Sequence, residues 1–187
     1  MIFLKKLQNA ITRATIKLVN SATKTQSLQI GLLAGEIKGS IEHIEPYGFT
    51  SHPQVGAEGI ALFFGGDRSN GVVIVTADKR YRLTNLAAGE VAIYDDQEQQ
   101  IVLRRSGIVI KTPKTLDAEC GGDVTVTAPN VKIVGNVTIT GSMTVSGGIQ
   151  SNGSIQAAGD VKAGAISLNS HTHTGVEPGG SNTGGPQ

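Results

Sequence analysis

Residues 135–161 read GNVTITGSMTVSGGIQSNGSIQAAGDV, and a glycine recurs in this stretch at every sixth position. An apolar side chain follows each glycine two residues later. Such a short, strict period is typical of a repeat architecture, and it indicates a β-solenoid or an intertwined β-helix. The glycines are Gly135, Gly141, Gly147, Gly153 and Gly159, and the apolar residues are Val137, Met143, Ile149, Ile155 and Val161.

A second position of each repeat, four residues after the glycine, lies on the same strand face, because side chains alternate along a strand. The other face carries polar residues such as Thr138 and Gln150. We therefore predict an apolar interior that narrows toward the C-terminus, with glycine allowing the bends between short strands. The residues at the second position are Ile139, Val145, Ser151, Ala157 and Ala163.

The repeat is too short for one chain to close on itself. It offers five units, whereas a single-chain left-handed β-helix uses roughly three units per coil and needs several stacked coils. Three chains wound around one another would place three copies of each inward side chain at every level and cover one another's strand edges. The sequence therefore favours an intertwined homotrimer over an isolated solenoid or an ordinary β-meander.

The composition fits an extended all-β molecule, with 25 glycines and only 4% aromatic residues in 187 residues. The formal net charge is +1, and basic pairs such as Lys5-Lys6 and Arg104-Arg105 are too short to form an extended basic patch. Nucleic-acid binding is therefore not expected. We assign no role to the single cysteine, Cys120.

The beginning of the chain, residues 1–23, is interpreted as a helical or extended arm. Lys5 and Lys6 interrupt its apolar run, so we expect a soluble protein made in a cytoplasm without a signal peptide, and no later stretch is long enough to span a membrane. Apolar residues at three- and four-residue steps predict a short amphipathic helix from Phe3 to about Val19. These residues are Leu4, Leu7, Ile11, Ala14 and Leu18.

Residues 24–106 predict a small antiparallel barrel, for which a five-stranded OB-type Greek key is the economical choice. Turn signals such as Pro46-Tyr47-Gly48 and Ser69-Asn70-Gly71 separate short apolar runs. The runs cover residues 28–33, 37–44, 59–64, 72–76, 81–83, 90–94 and 101–103.

The sequence pattern of residues 107–168 predicts the β-helix shaft, because alternating apolar pairs lead into the glycine repeat. These pairs are Ile108 and Ile110, Val124 and Val126, and Val131 and Ile133. Residues 169–187 form an apex whose tail, from Gly175 onward, has no apolar pattern. Such a tail can be ordered only by packing on neighbouring chains.

The motif His171-Thr172-His173 follows the strand-like Ile166-Ser167-Leu168. In an extended chain the two imidazoles lie on one face, which gives one chain two metal ligands. Three chains would bring six imidazoles to one axis, enough for an octahedral transition-metal site, with iron as the leading candidate and nickel, zinc or cobalt as alternatives.

The other interpretation of this motif is a polar terminal loop that binds nothing. Its position at the end of a narrowing trimer favours the metal, which would link three chain ends that lack an apolar core. His43 and His52 have no comparable companion, and we expect them to be ordinary barrel or loop residues.

Two other classes of protein share a trimeric β-helix. A hexapeptide-repeat acyltransferase would use a histidine as general base, but its repeat runs are longer and no catalytic constellation is evident in this chain. A glycan-binding tail fibre would need aromatic platforms or acidic pairs on an exposed groove, and the shaft segment has neither. Both remain alternatives to a purely structural protein.

Several motifs spread over nearly the whole chain resemble the Mu-type baseplate assembly protein V family of contractile-tailed bacteriophages. The most specific are the apex motif His171-Thr172-His173-Thr174-Gly175 and the closing Gly179-Gly180-Ser181-Asn182-Thr183-Gly184-Gly185-Pro186. The barrel segment Tyr47-Gly48-Phe49-Thr50-Ser51-His52-Pro53, together with Gly56-Ala57-Glu58-Gly59, supports the same family, as do the glycine repeats.

The resemblance implies a homotrimeric central spike at the tip of the virion's tail. Its OB-type domain would attach to the baseplate hub, and its shaft would end in a pointed apex. By similarity, His171 and His173 of each chain would coordinate an axial iron ion. The family's role is to puncture the bacterial outer membrane when the tail sheath contracts, which requires no catalytic residue.

Overall fold

The computed structural model describes residues 10–175 and 179–180. It divides into two compact units, Met1–Val124 and Thr125–Gln187. From Ile11 onward in the described residues, the regular elements are β-strands and two short 3-10 turns, which confirms the all-β prediction. The strands are β1 (Ile11–Asn20), β2 (Ser27–Gly31), β3 (Ile37–His43), β4 (Glu58–Phe63), β5 (Gly71–Ala77), β6 (Val91–Tyr94), β7 (Gln100–Arg104), β8 (Gly107–Lys111), β9 (Lys162–Ala163) and β10 (Ile166–Ser167).

The first five strands form a closed barrel in the order β1-β2-β3-β5-β4. Neighbouring strands are antiparallel except β3 and β5, whose parallel pairing joins only Glu42 to Val72 and His43 to Val73. The register shifts once in each of the pairs β1 to β2, β2 to β3 and β4 to β5. Such bulges bend and twist strands, which is what allows a sheet this small to close.

The barrel interior is filled by the inward side chains of the alternating strands. In β4, for example, Gly59, Ala61 and Phe63 are buried while the residues between them are partly exposed. Phe63 passes over Gly71, where an added Cβ would lie 2.4 Å from the Phe63 ring, so only glycine fits there. The buried apolar core consists of Ala14, Ile16, Leu28, Ile30, Ile41, Ala57, Ala61, Phe63 and Val73.

The helix predicted from Phe3 to about Val19 is wrong over residues 11–19, which belong to β1. Residues 1–9 lie outside the described part of the chain. Within β1, Thr12, Ala14 and Ile16 are buried and the residues between them are not, which is the period of a strand. Because β1 pairs with both β2 and β4, the barrel begins at Ile11, inside the segment interpreted as an arm.

A separate three-stranded antiparallel sheet, β6-β7-β8, follows the closed barrel. Residues 81–83, which the sequence predicts to be a strand, do not form one. Cross-strand pairing places six apolar residues on one side of this sheet, each at least 40% exposed. This β6–β8 apolar face consists of Val91, Ile93, Ile101, Leu103, Ile108 and Ile110.

The second unit has little regular structure within one chain. Strands β9 and β10 form a short antiparallel hairpin around Gly164, whose φ is +61°. Among the described residues, no strand occurs between β8 and β9, so the strands predicted around residues 124–126 and 131–133 are absent from the single chain.

The glycine repeat leaves its apolar side chains uncovered, and none of residues 125–175 is buried. The exposed fractions are 60% for Val137, 66% for Met143, 70% for Ile149 and 74% for Ile155. In the part of the chain that the structure describes, no helix is long and apolar enough to cross a bilayer.

Candidate functional site

The β9–β10 hairpin positions the histidine motif. Ile166 pairs with Ala163 and Ser167 with Lys162, in agreement with the strand-like segment predicted before the histidines. The Leu168 amide donates a hydrogen bond to the Val161 carbonyl at 2.9 Å, which extends the pairing by one residue. The histidine motif therefore begins four residues after the last strand residue of a short hairpin.

The His171 side chain is held by the backbone of the same hairpin. Its Nδ1 atom lies 2.9 Å from the Ser167 carbonyl oxygen, and its amide donates to that oxygen at 3.1 Å. Because a carbonyl oxygen can only accept, Nδ1 is the donor, and the lone pair of the neutral ring is then on Nε2. A hydrogen bond of this kind from one imidazole nitrogen is the usual way to orient the other toward a metal.

The rings of His171 and His173 lie side by side, with centroids 5.1 Å apart and planes inclined by 72°. Both residues are exposed. Gly175, which closes the motif, has a φ of +82°, in the left-handed region that favours glycine. Most other residues would therefore be strained at this position of the backbone turn that follows the second histidine.

The two imidazoles suit a transition metal, because neutral nitrogen ligands favour iron, nickel, copper or zinc over calcium or magnesium. Among the described residues, no cluster of three or more His, Cys, Asp or Glu side chains is available to hold a metal ion. At this position one chain thus supplies two imidazole donors, fewer than the four ligands of a closed tetrahedral site.

A polar cluster at the barrel, formed by the buried Gln26 and His43 with the partly exposed Glu45 and the exposed Ser51, is a feature that the sequence analysis missed. His43 Nδ1 donates to Gln26 Oε1 at 2.8 Å, and Gln26 Nε2 donates to the Ser51 carbonyl at 2.7 Å. Glu45 accepts from the Ser51 amide at 2.8 Å. These bonds fasten the loop between β3 and β4 to the barrel.

Burial lowers the pKa of His43, and the Glu45 carboxylate, 4.0 Å from its Nδ1, partly opposes that shift. His43 is a buried barrel residue and His52 an exposed loop residue whose Nδ1 lies 3.0 Å from the Ser21 hydroxyl. The available sequence signal was that Gln26 and His43 continue the inward alternation of Leu28 and Ile41 with polar side chains.

Comparison with known proteins matches both ends of the chain. Residues 13–80 match the family model Bacteriophage Mu Gp45, N-terminal, and residues 165–187 match the GpV Apex motif. The first segment covers most of the closed barrel, and the second contains His171 and His173.

Two curated proteins are similar over most of the chain. The baseplate puncturing device gp45 of Escherichia phage Mu is 33% identical over 132 residues, which cover 71% of this chain and 67% of that protein. The Mu-like prophage FluMu protein gp45 of Haemophilus influenzae is 34% identical over 113 residues, which cover 60% of this chain and 62% of that protein.

Proposed function

The chain belongs to the phage Mu gp45 family, and we propose that three copies of it form the central spike of a contractile phage tail. Family membership confirms the resemblance that the motifs predicted. The protein is a structural, non-enzymatic component of the phage baseplate, and therefore of the virion. The observation that carries the trimeric spike is the uncovered apolar repeat, which ends in an apex motif.

The homotrimer is supported by the exposure of side chains that the repeat places on one face. Ile149 and Ile155 remain 70% and 74% exposed in the single chain, although their spacing is that of a buried strand face. Burying an apolar side chain of this size contributes about 1.5–3 kcal/mol. Three intertwined chains would bury every such residue and pair the strand edges that one chain leaves open.

The β6–β8 apolar face extends the same argument to the start of the shaft. Its six side chains are as uncovered as those of the repeat, whereas Val102 on the opposite face is fully buried. A two-sided sheet with one uncovered apolar face fits an assembly of chains better than an isolated one. Of this sheet only β8 falls within the proposed shaft, residues 107–168, and the proposed apex is residues 169–187.

At the apex, His171 and His173 of three chains would supply six imidazole nitrogens around the threefold axis. The hydrogen bond in which His171 Nδ1 donates to the Ser167 carbonyl leaves Nε2 free to face a metal, and the GpV Apex motif covers this segment. We propose iron as the bound metal, with one ion per trimer. The ion would link three chain ends that have no apolar core.

The mechanism that we propose is mechanical. The barrel would attach the spike to the baseplate hub, and contraction of the sheath would drive the apex through the host outer membrane. Interlocked chains and a metal-linked tip would resist bending and fraying. The chain would be made in the host cytoplasm and assembled into the tail.

The two alternative functions are less well supported. A hexapeptide-repeat acyltransferase conflicts with membership in a family of structural baseplate proteins. A glycan-binding fibre would need aromatic platforms for sugars, yet the sequence has no Phe, Tyr or Trp after Tyr94.

Native mass spectrometry of the full-length protein tests the proposal, together with elemental analysis of the same sample. We expect a trimer with one transition-metal ion. H171A and H173A should each lower the metal content at least tenfold and leave the trimer intact, while the control H52A should retain the metal. A monomer would refute the spike, and unchanged metal in both variants would refute the ligands.

A further inference from the structure

The barrel has two distinct ends. At one end lie the start of β1, the turn between β2 and β3, and the turn between β4 and β5. We call this the turn end. At the other end lie the loop between β3 and β4 and the end of β5 at Ala77, from which the chain continues toward β6.

The two turns at the turn end are built alike. Each contains a 3-10 turn, Leu33–Gly35 or Phe64–Gly66, with a middle residue in the left-handed region at φ +57° or +63°. Each is closed by a backbone bond, from the Glu36 amide to Leu33 O at 3.4 Å and from the Asp67 amide to Phe64 O at 3.1 Å. The left-handed residue of the first turn is Ala34, although this conformation is strained for a residue with a side chain.

An ion pair joins these two turns. Arg68 Nη1 donates to Glu36 Oε2 at 2.8 Å, and Lys38 Nζ lies 3.4 Å from Glu36 Oε1. The Arg68 guanidinium also lies over the ring of Phe63, 5.5 Å from its centroid. The turns are therefore fixed relative to each other and to the core.

These ordered turns present apolar side chains to the outside. Leu33 is 74% exposed and Phe64 55%, and two neighbours at the same end, Ile11 and Ile37, are 65% and 59% exposed. We call these four residues the turn-end patch. Exposed apolar groups on a rigid support are typical of binding hot spots, because little freedom is lost when they are covered.

We propose that the turn-end patch docks the spike onto the tail, by inserting Leu33 and Phe64 into apolar pockets of a baseplate protein with a charged rim. This inference rests on the proposed function. Glu36, Arg68 and Lys38 beside the patch would meet that rim and fix the orientation of the barrel.

The path of the chain through the barrel favours a baseplate protein as the partner of the turn-end patch. The opposite end of the barrel faces the sheet that follows it, where Gln54 Nε2 donates to Asp96 Oδ2 at 3.1 Å. The chain leaves the barrel at that end, after Ala77, and the apex motif comes later in the sequence. The turn end is opposite to this exit and carries an ordered apolar patch, so it is the surface of the barrel that we assign to contacts with the tail.

In vitro complementation tests this inference. Tails without the spike would be prepared from the parent phage carrying a stop codon in this gene and incubated with the purified full-length protein. Sedimentation and immunoblotting would measure the protein that they retain. We expect L33E/F64E to lower retention at least tenfold, because two carboxylates would have to enter apolar pockets.

A matched control places the same charges at the other end of the barrel. Phe49 and Val55 are 63% and 61% exposed in the loop between β3 and β4, and F49E/V55E should be retained like the wild type. Circular dichroism and native mass spectrometry would confirm folding and chain number. If L33E/F64E fails to fold, the milder L33S/F64S replaces it.

The outcomes separate this inference from the proposed function. Normal retention of the turn-end variant, or loss with F49E/V55E alone, would overturn turn-end docking and leave attachment to the tail intact. A changed number of chains in the turn-end variant would show that the patch packs against a second copy, which also overturns it. Failure of the wild type to bind the tails would instead contradict the proposed function.

Discussion

The barrel and the glycine repeat use the same alternation of side chains and reach opposite results within one chain. In the barrel, inward residues such as Ile16, Ile30 and Val73 are completely buried. In the repeat, residues with the same spacing remain exposed, by 70% at Ile149 and 74% at Ile155. Alternation marks which side chains need covering, but it does not specify whether the same chain covers them.

The difference follows from strand length and closure. Barrel strands of five to ten residues can pair with two neighbours each and return every edge to the sheet. A six-residue unit with a glycine at each bend leaves only a few residues for pairing, so the repeat cannot form a closed sheet by itself. Other copies of the chain are the natural source of the missing strands.

The largest effect is expected from a charge inside the repeat. I149D would place three carboxylates at one level of the trimeric shaft, each costing several kcal/mol without a partner. We expect loss of the trimer in native mass spectrometry, with the barrel still folded by circular dichroism. Gln150, on the polar face, provides the matched control Q150D, and a trimeric I149D would mean that the repeat is not an interface.

Truncating a side chain of the barrel core should lower the stability of each chain, whether or not the chains assemble. Phe63 is 2% exposed and Phe64 is 55% exposed. F63A should destabilise the barrel by about 3–5 kcal/mol, whereas F64A should change its stability by about 0.5 kcal/mol or less. Hydrogen exchange of barrel amides measures the difference, and equal effects of the two variants would contradict the described core.

The smallest effect concerns pH. Burial lowers the pKa of His43, so the unfolded chain binds a proton more readily than the barrel between that pKa and the ordinary histidine value. The contribution of His43 to the stability of the barrel should therefore be fully present above about pH 6.5. It should be lost as the pH falls through that window. H43N, which keeps a donor for Gln26, should remove this dependence, while H52N should not. A pH dependence that persists in H43N would assign it to another group.

Much of the fold could be predicted from local pattern. Strands β2 to β5 coincide with the apolar runs predicted at residues 28–33, 37–44, 59–64 and 72–76, and the repeat identified the segment that one chain cannot bury. Strand β1 was missed because Ile11, Ala14 and Leu18 also fit helical steps, and only pairing with β2 and β4 decides between the two. Tyr81 and Leu83 alternate with Arg82 as in a strand, but these residues pair with no neighbouring strand in the described part of the chain.

The candidate site was predictable as a pair of residues but not as an environment. The His-x-His spacing places two rings on one side, yet the bond from His171 Nδ1 to the Ser167 carbonyl depends on the hairpin before it. The hydrogen bond between His43 and Gln26 joins residues that are 17 positions apart and meet only because β2 pairs with β3. Such contacts arise from closure of the barrel and leave no periodic signal.

A chain with a six-residue period can change its length without redesign only in whole repeats. Adding or deleting six residues keeps every glycine at a bend and every apolar side chain on its face. An insertion of one residue would turn all of the following side chains to the other face. The length of such a segment therefore changes in evolution by whole six-residue repeats. Duplication of a short stretch of the gene is enough to add one repeat.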